Sequence, residues 1–155
     1  MENLNEIVPC VILAGGKGRR MGGKDKALIP LLDRPLLSYV LESISGHVAP
    51  IALNINTNLD KFSEFGYEII EDPIKGHLGP LAGILASLNW ASQLNQKWVM
   101  TLPCDTPFLP KNIVKEMIKL KNKELDVDLV VAQSKGYNHP VIALWKSDLN
   151  LKLEK

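Results

Sequence analysis

Cysteine is nearly absent from this 155-residue chain: Cys10 and Cys104 stand far apart and form no C-x-x-C. No disulfide framework and no zinc site is suggested, and each thiol reads as a small buried residue in a reducing cytosol. Long apolar runs are missing too, as is a basic-then-apolar secretory pattern at the N-terminus. The expectation is a cytoplasmic protein without a membrane partner. Net charge is almost nil, with 18 Lys and Arg against 17 Asp and Glu, giving +1 at pH 7. Binding nucleic acid in bulk needs a broadly basic face, so nucleic acid is not an expected partner. There is no internal repeat and no low-complexity segment. What the chain does have is 46% hydrophobic residues in a length suited to one domain with a real core.

The small positive charge is concentrated. An apolar run, Ile7 to Ala14, reads as a buried parallel-type strand and empties into a glycine-rich loop. That loop carries Gly15, Gly16, Gly18, Gly22 and Gly23 among the cations Lys17, Arg19, Arg20, Lys24 and Lys26. From Lys17 to Lys26 five cations face one acid, Asp25, a local net of +4. Glycines let backbone N–H groups approach an anion closely, and the cations supply charge-assisted bonds to phosphate oxygens. A polyphosphate site is the natural reading, although a glycine turn after a strand is often only a turn. Neither G-x-x-x-x-G-K-[ST] nor G-x-G-x-x-G is present.

Downstream, the chain alternates strands with helices. Pro35 opens a helix with Leu36, Leu37, Val40, Leu41 and Ile44 on one face, ending near Gly46. Strands are expected over Ile51–Asn56, Tyr67–Ile70, Trp98–Leu102, Val127–Ala132 and Val141–Trp145. The loop Gly76 to Gly83 leads into a helix whose expected core face is Leu81, Leu85, Leu88 and Ala91 or Ser92. Ile113, Met117 and Leu120 mark another helix. The three tryptophans, Trp90, Trp98 and Trp145, read as core or half-buried packing residues. This order implies an α/β fold: three α/β/α layers around a mostly parallel twisted sheet, Rossmann-like in its nucleotide binding.

Ligands of such sheets gather beyond the carboxyl ends of the strands. Those ends present Gly15 and Gly16, then Asn54 with Asn56, then Asp72, then Asp105. A basic glycine loop with two converging acids describes a nucleotide plus a divalent metal. Asp105, between Pro103 and Pro107, is the stronger ligand, and one carboxylate with waters and substrate phosphates suits Mg²⁺. Taken singly, Asp72 before Pro73 and Asp105 before Thr106-Pro107 also fit turn-forming or capping aspartates.

With these residues assembled, a resemblance emerges. Leu13-Ala14-Gly15-Gly16-Lys17-Gly18-Arg19-Arg20-Met21-Gly22-Gly23-Lys24-Asp25-Lys26-Ala27-Leu28 resembles the N-terminal signature of nucleotidyltransferases with a glycosyltransferase-A-like fold. More narrowly it is similar to the molybdenum cofactor guanylyltransferases, the MobA family. Glu71-Asp72, Gly79-Pro80-Leu81-Ala82-Gly83, Pro103-Cys104-Asp105-Thr106-Pro107-Phe108 and His139-Pro140 with Val141–Leu144 agree in order and spacing. The likeness runs from about residue 8 to 145. Gly22-Gly23 and the Gly-Pro-Leu-Ala-Gly run favour the guanylyl branch.

The resemblance implies that molybdopterin's terminal phosphate attacks the α-phosphorus of GTP, joining GMP to the pterin and releasing pyrophosphate. It places Leu13, Ala14 and Gly15 along guanine and ribose. Gly16, Lys17, Gly18 and Arg20 surround the phosphates, with Arg20 at the β,γ end. Lys26 reaches the α-phosphate and Asp105 binds Mg²⁺. Asn54 and Asp72 meet the nucleoside, and Gly79, Pro80 and Leu81 through Gly83 close over it. Arg20, Lys26 and Asp105 are then the catalytic set. Molybdoenzymes or their chaperones are the implied protein partners. His139 reads either as an acceptor-side contact or as a loop histidine with a structural bond. Family members continue past the position of Lys155 to an Asn-x-x-Thr-Pro segment and a closing helix, so this chain is expected to lack the usual C-terminal segment. A cytidylyl- or sugar-nucleotidyltransferase, or a non-catalytic nucleotide-binding remnant, are the alternatives. Every version requires Lys26 and Asp105 near enough for one nucleotide to bridge them.

Overall fold

The computed structural model describes residues 5–15, 25–76 and 79–154. In chain order the elements are β1 (Val8–Leu13), a short ribbon of β2 (Pro30–Leu31) and β3 (Arg34–Pro35), then α1 (Leu36–Ile44) and β4 (Val48–Asn54). Next come β5 (Glu68–Ile70), α2 (Pro80–Gln93), β6 (Trp98–Pro103) and α3 (Ile113–Lys123). A hairpin of β7 (Leu129–Ser134) and β8 (Tyr137–Lys146) and a short α4 (Asn150–Leu153) complete the described chain.

Six strands form one sheet in the order β5-β4-β1-β6-β8-β7. The β5–β4, β4–β1 and β1–β6 pairings are parallel, each reached through a crossover, while β8 runs antiparallel to both β6 and β7. The antiparallel edge follows from a two-residue turn, Lys135-Gly136, with φ of 48° and 80°. Two positive-φ residues match strand twist in a tight hairpin, which leaves no chain for a parallel crossover.

β1 sits centrally and is apolar on both faces because both are covered. Cys10 and Ile12 face a core built with Leu37, Val40 and Ile44 of α1 and Val114, Met117 and Ile118 of α3. Val11, on the opposite face, packs with Ala52, Val99 and Ala143 against Ile84, Leu88 and Ala91 of α2. The expected three layers are present, and both cysteines are buried free thiols. Trp90 and Trp145 are buried and Trp98 half-buried.

Three details differ from the sequence reading. Leu81 is 59% exposed and Ser92 is exposed, so neither belongs to the core face of α2. Gly83 is the residue that abuts the sheet, and Leu81, two positions away, points about 200° round the helix. β4 begins at Val48, ahead of Pro50, because the β1–β4 register shifts between Val8 and Cys10 and no ladder bond is asked of the proline there. β8 likewise extends back through Pro140, at a register irregularity opposite Val131 and Ala132.

Candidate active site

The register brings the ends of four strands to one rim. Leu13 pairs with Asn54 on one side and Pro103 on the other, and Asn54 pairs with Ile70. The ladder continues past the strands: Ala14 N donates to Asn54 O (2.9 Å), Cys104 N to Leu13 O (3.3 Å) and Ile55 N to Ile70 O (3.0 Å). Gly15, Asn56, Asp72 and Asp105 follow immediately on these rigid positions.

At one end of the rim is a hydrogen-bonded carboxylate. Asn54 Nδ2 donates to Asp72 Oδ1 (2.8 Å) and Asn56 Nδ2 to Asp72 Oδ2 (2.9 Å). Asp72 N donates in turn to Asn56 Oδ1 (2.7 Å). Asn54, only 2% exposed, also donates to Ile70 O (3.3 Å). Asp72 is therefore oriented by two amides rather than used as a turn former before Pro73. Asn54 and Asn56 reach it together because residues two apart on extended chain share a face.

Two glycines close against this group. A Cβ on Gly15 would lie 2.5 Å from Asn56 Nδ2, and one on Gly83 would lie 2.5 Å from Asn54 Oδ1. Any side chain at either position would displace an amide that holds Asp72. Gly79 precedes α2 with φ +73°, a conformation open to glycine, and Pro80 occupies the first helical turn with its preset φ. Gly79, Pro80 and Leu81 are all exposed at this helix start.

At the other end, Lys26 and Asp105 meet. Lys26 opens a 3₁₀ turn, Lys26–Leu28, pinned by the buried Ala27. Its Nζ lies 3.9 Å from Asp105 Oδ2, with the side chains 39% and 42% exposed. A charge-assisted hydrogen bond would be about 2.7–2.9 Å, so each group keeps bonding capacity for a third party. Asp105 does not cap a helix, since α3 begins at Ile113 behind Asn112. Asp25 is engaged by Asn58 Nδ2 (3.2 Å) and Lys61 Nζ (4.0 Å).

Cys104 lies between the sheet and Asp105. Burial, then the adjacent Asp105 carboxylate, push its thiol up to about 12, so it is not a thiolate nucleophile near neutral pH. Burial alone drives the Cys10 thiol upward as well. Among the described residues no three His, Cys, Asp or Glu side chains cluster to cage a metal. Asp105 offers an exposed carboxylate beside a cation, a donor set that fits Mg²⁺ only when substrate phosphates and waters complete the shell.

Residues 10–155 match the MobA-like NTP transferase domain. The chain belongs to that family. A molybdenum cofactor guanylyltransferase from Rhodopseudomonas palustris (strain BisB5) is 42% identical to this MobA-like chain over 151 residues, covering 95% of it and 70% of that protein. Its counterpart from Shewanella sediminis (strain HAW-EB3) is 39% identical over 142 residues, covering 92% and 70%. The crystal structure of molybdopterin-guanine dinucleotide biosynthesis protein A from Archaeoglobus fulgidus matches with a TM-score of 0.75 at 25% identity, over 95% of this chain and 71% of that one. The nucleotidyltransferase fold is thus shared along almost the whole sequence.

Of the residues singled out in this MobA-like sequence, Leu13, Ala14, Gly15, Asn54, Asp72, Gly79, Pro80, Leu81, Lys26 and Asp105 gather along this rim or at the start of α2. Gly16, Lys17, Gly18, Arg20 and His77 lie outside the described residues. His139 pairs its Nε2 with Ser134 Oγ (2.6 Å) across the β7–β8 hairpin, a structural bond. Asn56 stands two residues after Asn54, and the resemblance gives it no nucleotide role. Its hold on both the carboxylate and the backbone N–H of Asp72 appears only when β4 and β5 are aligned.

Proposed function

We propose that this protein transfers GMP from GTP to the terminal phosphate of molybdopterin, forming the guanine dinucleotide cofactor and pyrophosphate. The observation that carries the reading is the approach of Lys26 to Asp105 at 3.9 Å on the rim that also holds the Asn54–Asp72–Asn56 group. The family match and the guanylyltransferase relatives at 39–42% identity support it.

The chemistry needs positioning and charge neutralisation more than a base, because the attacking phosphate is already an anion. Lys26 stabilises charge developing on the α-phosphate, and with Arg20 and the glycine loop it holds the polyphosphate. Asp72, fixed by two amides, retains acceptor capacity on each oxygen, which suits the adjacent N1–H and N2–H donors of guanine. Cytosine and uracil offer no such donor pair. Family chemistry of this type uses a divalent cation, and Mg²⁺ held by Asp105 would neutralise phosphate charge and orient the leaving group. Cys104, protonated and buried, takes no part.

In this reading GTP and molybdopterin are the substrates, and molybdoenzymes or their chaperones receive the product. The setting is cytoplasmic, in keeping with two buried free thiols; no described helix is long and apolar enough to cross a membrane. The chain acts as one nucleotidyltransferase domain. The test is pyrophosphate release with GTP, molybdopterin and Mg²⁺, alongside calorimetric titration of GTP, CTP and UTP. GTP-selective binding with pyrophosphate release supports the reading. CTP selectivity moves the protein to the cytidylyl branch, and GTP binding without turnover leaves the non-catalytic alternative.

A further inference from the structure

A second concave site lies at the opposite end of the sheet. The nucleotide rim follows the carboxyl end of β1, whereas this pocket surrounds the residues that enter it, about 20 Å away across six extended residues. Its volume is about 380 Å³, within the range of small-molecule sites. The walls are the approach to β1 at Glu6 and Ile7, the α1–β4 turn at Gly46 and His47, and one side of α3.

The wall from α3 has two chemically distinct rows. Val114 and Ile118, four apart and buried, form an apolar floor together with Ile7. Lys115 and Lys119, also four apart and exposed, run beside them and lead to Asn122 one turn on. The one acid in the lining is already neutralised: Glu6 Oε1 and Oε2 accept from Lys121 Nζ at 2.6 and 2.7 Å. That ammonium, nearly buried, also sits 5.3 Å from the Trp98 ring centroid, so the Glu6 wall is anchored. Lys115 and Lys119 make no ion pair with any described residue. Among the described residues the pocket's uncompensated charge is therefore positive, set along one edge of an apolar floor.

We propose that this pocket binds a phosphomonoester carried on a flat apolar ring system, with the ring on Ile7, Val114 and Ile118 and the phosphate between Lys115 and Lys119. A phosphomonoester carries close to two negative charges at neutral pH, which matches two lysines one helical turn apart. A neutral ring would leave both ammonium groups unanswered, and inorganic phosphate would leave the apolar floor wet. The site is independent of the nucleotidyl-transfer reading.

Phenyl phosphate is a suitable probe, followed through the methyl NMR signals of Ile7, Val114 and Ile118 in the full chain. The expected result is saturable shifts at those methyls, unchanged in Lys26→Ala and at least tenfold weaker in the Lys115→Ala/Lys119→Ala double variant. Benzyl alcohol and inorganic phosphate alone are each expected to bind at least tenfold more weakly. The lysines are exposed, so the double variant retains a dispersed native spectrum, and Lys115→Glu/Lys119→Glu abolishes binding. Absence of saturable shifts, equal binding by benzyl alcohol, or unchanged affinity in the double variant overturns the proposal.

Discussion

A Cβ built on Gly83 would stand 2.5 Å from Asn54 Oδ1, so the first turn of α2 is seated against the same amide that holds Asp72. Asn54 cannot swing aside freely, because its Nδ2 is committed to Asp72 and to Ile70 O. Gly83→Ala therefore sets two effects against each other. Alanine gains about 0.5–1 kcal/mol of helix propensity, while the clash costs about 1–3 kcal/mol. The expected outcome is a small loss in Tm and roughly tenfold weaker GTP binding, read by thermal unfolding and calorimetry. A variant with undiminished affinity for GTP would show that this contact does not shape the nucleoside site.

Lys26→Ala and Asp105→Ala separate catalysis from folding. Both side chains are well exposed and 3.9 Å apart, so their mutual attraction adds little stability. Loss of one charged transition-state contact costs about 2.7–4 kcal/mol, or about 10²–10³-fold in turnover. Steady-state pyrophosphate release should fall by that factor with Tm nearly unchanged. Full Mg²⁺-dependent activity in folded Asp105→Ala would refute its assignment to the metal.

Asn56 acts through Asp72, so its variants should change base choice more than chemistry. Asn56→Ala removes one donor to the carboxylate, a bond to a charged group worth about 1.5–3 kcal/mol. KM for GTP should rise by about tenfold or more while kcat changes little, and discrimination against CTP should narrow. Asn56→Asp sets a second carboxylate where the amide stood 2.9 Å from Asp72 Oδ2, and should weaken GTP binding further. A fall in kcat with KM unaltered would point to a different role.

The buried Cys104 thiol makes stability depend on alkaline pH. Its native value of about 12 lies above the ordinary 9.0, so between those values the unfolded chain loses a proton that the native one keeps. Stability from this group is fully present below pH 9 and declines as pH rises toward 12, by about 1.4 kcal/mol per pH unit. Chemical denaturation across that range should show the decline, with a shallower slope in Cys104→Ala. Equal slopes would mean that the thiol is accessible to base in the native state.

Much of this was legible in the chain because it is local. The apolar run of β1, the cations and glycines after it, and Asp105 between two prolines each declare themselves in a few residues. The meeting of Gly15, Lys26 and Asp105 at one rim follows from the rule for parallel sheets, given βαβ order. Period-2 and period-3.6 patterns located the other elements, with errors where a proline sits at a register shift, as at Pro50 and Pro140. Local patterning could not show that Leu81 faces outward, since that depends on Gly83 docking against a strand remote in sequence.

The sequence by itself determined the elements, the parallel core and the identity of the charged groups available for phosphate, since backbone preference and burial act over short spans. Only the tertiary structure decided which groups are already partnered. It clamped Asp72 between two amides, left Lys26 and Asp105 3.9 Å apart with capacity to spare, and set Lys115 and Lys119 over an apolar floor at the far edge. Partnership depends on distances between segments far apart in the chain, and those are fixed only by strand register and helix packing.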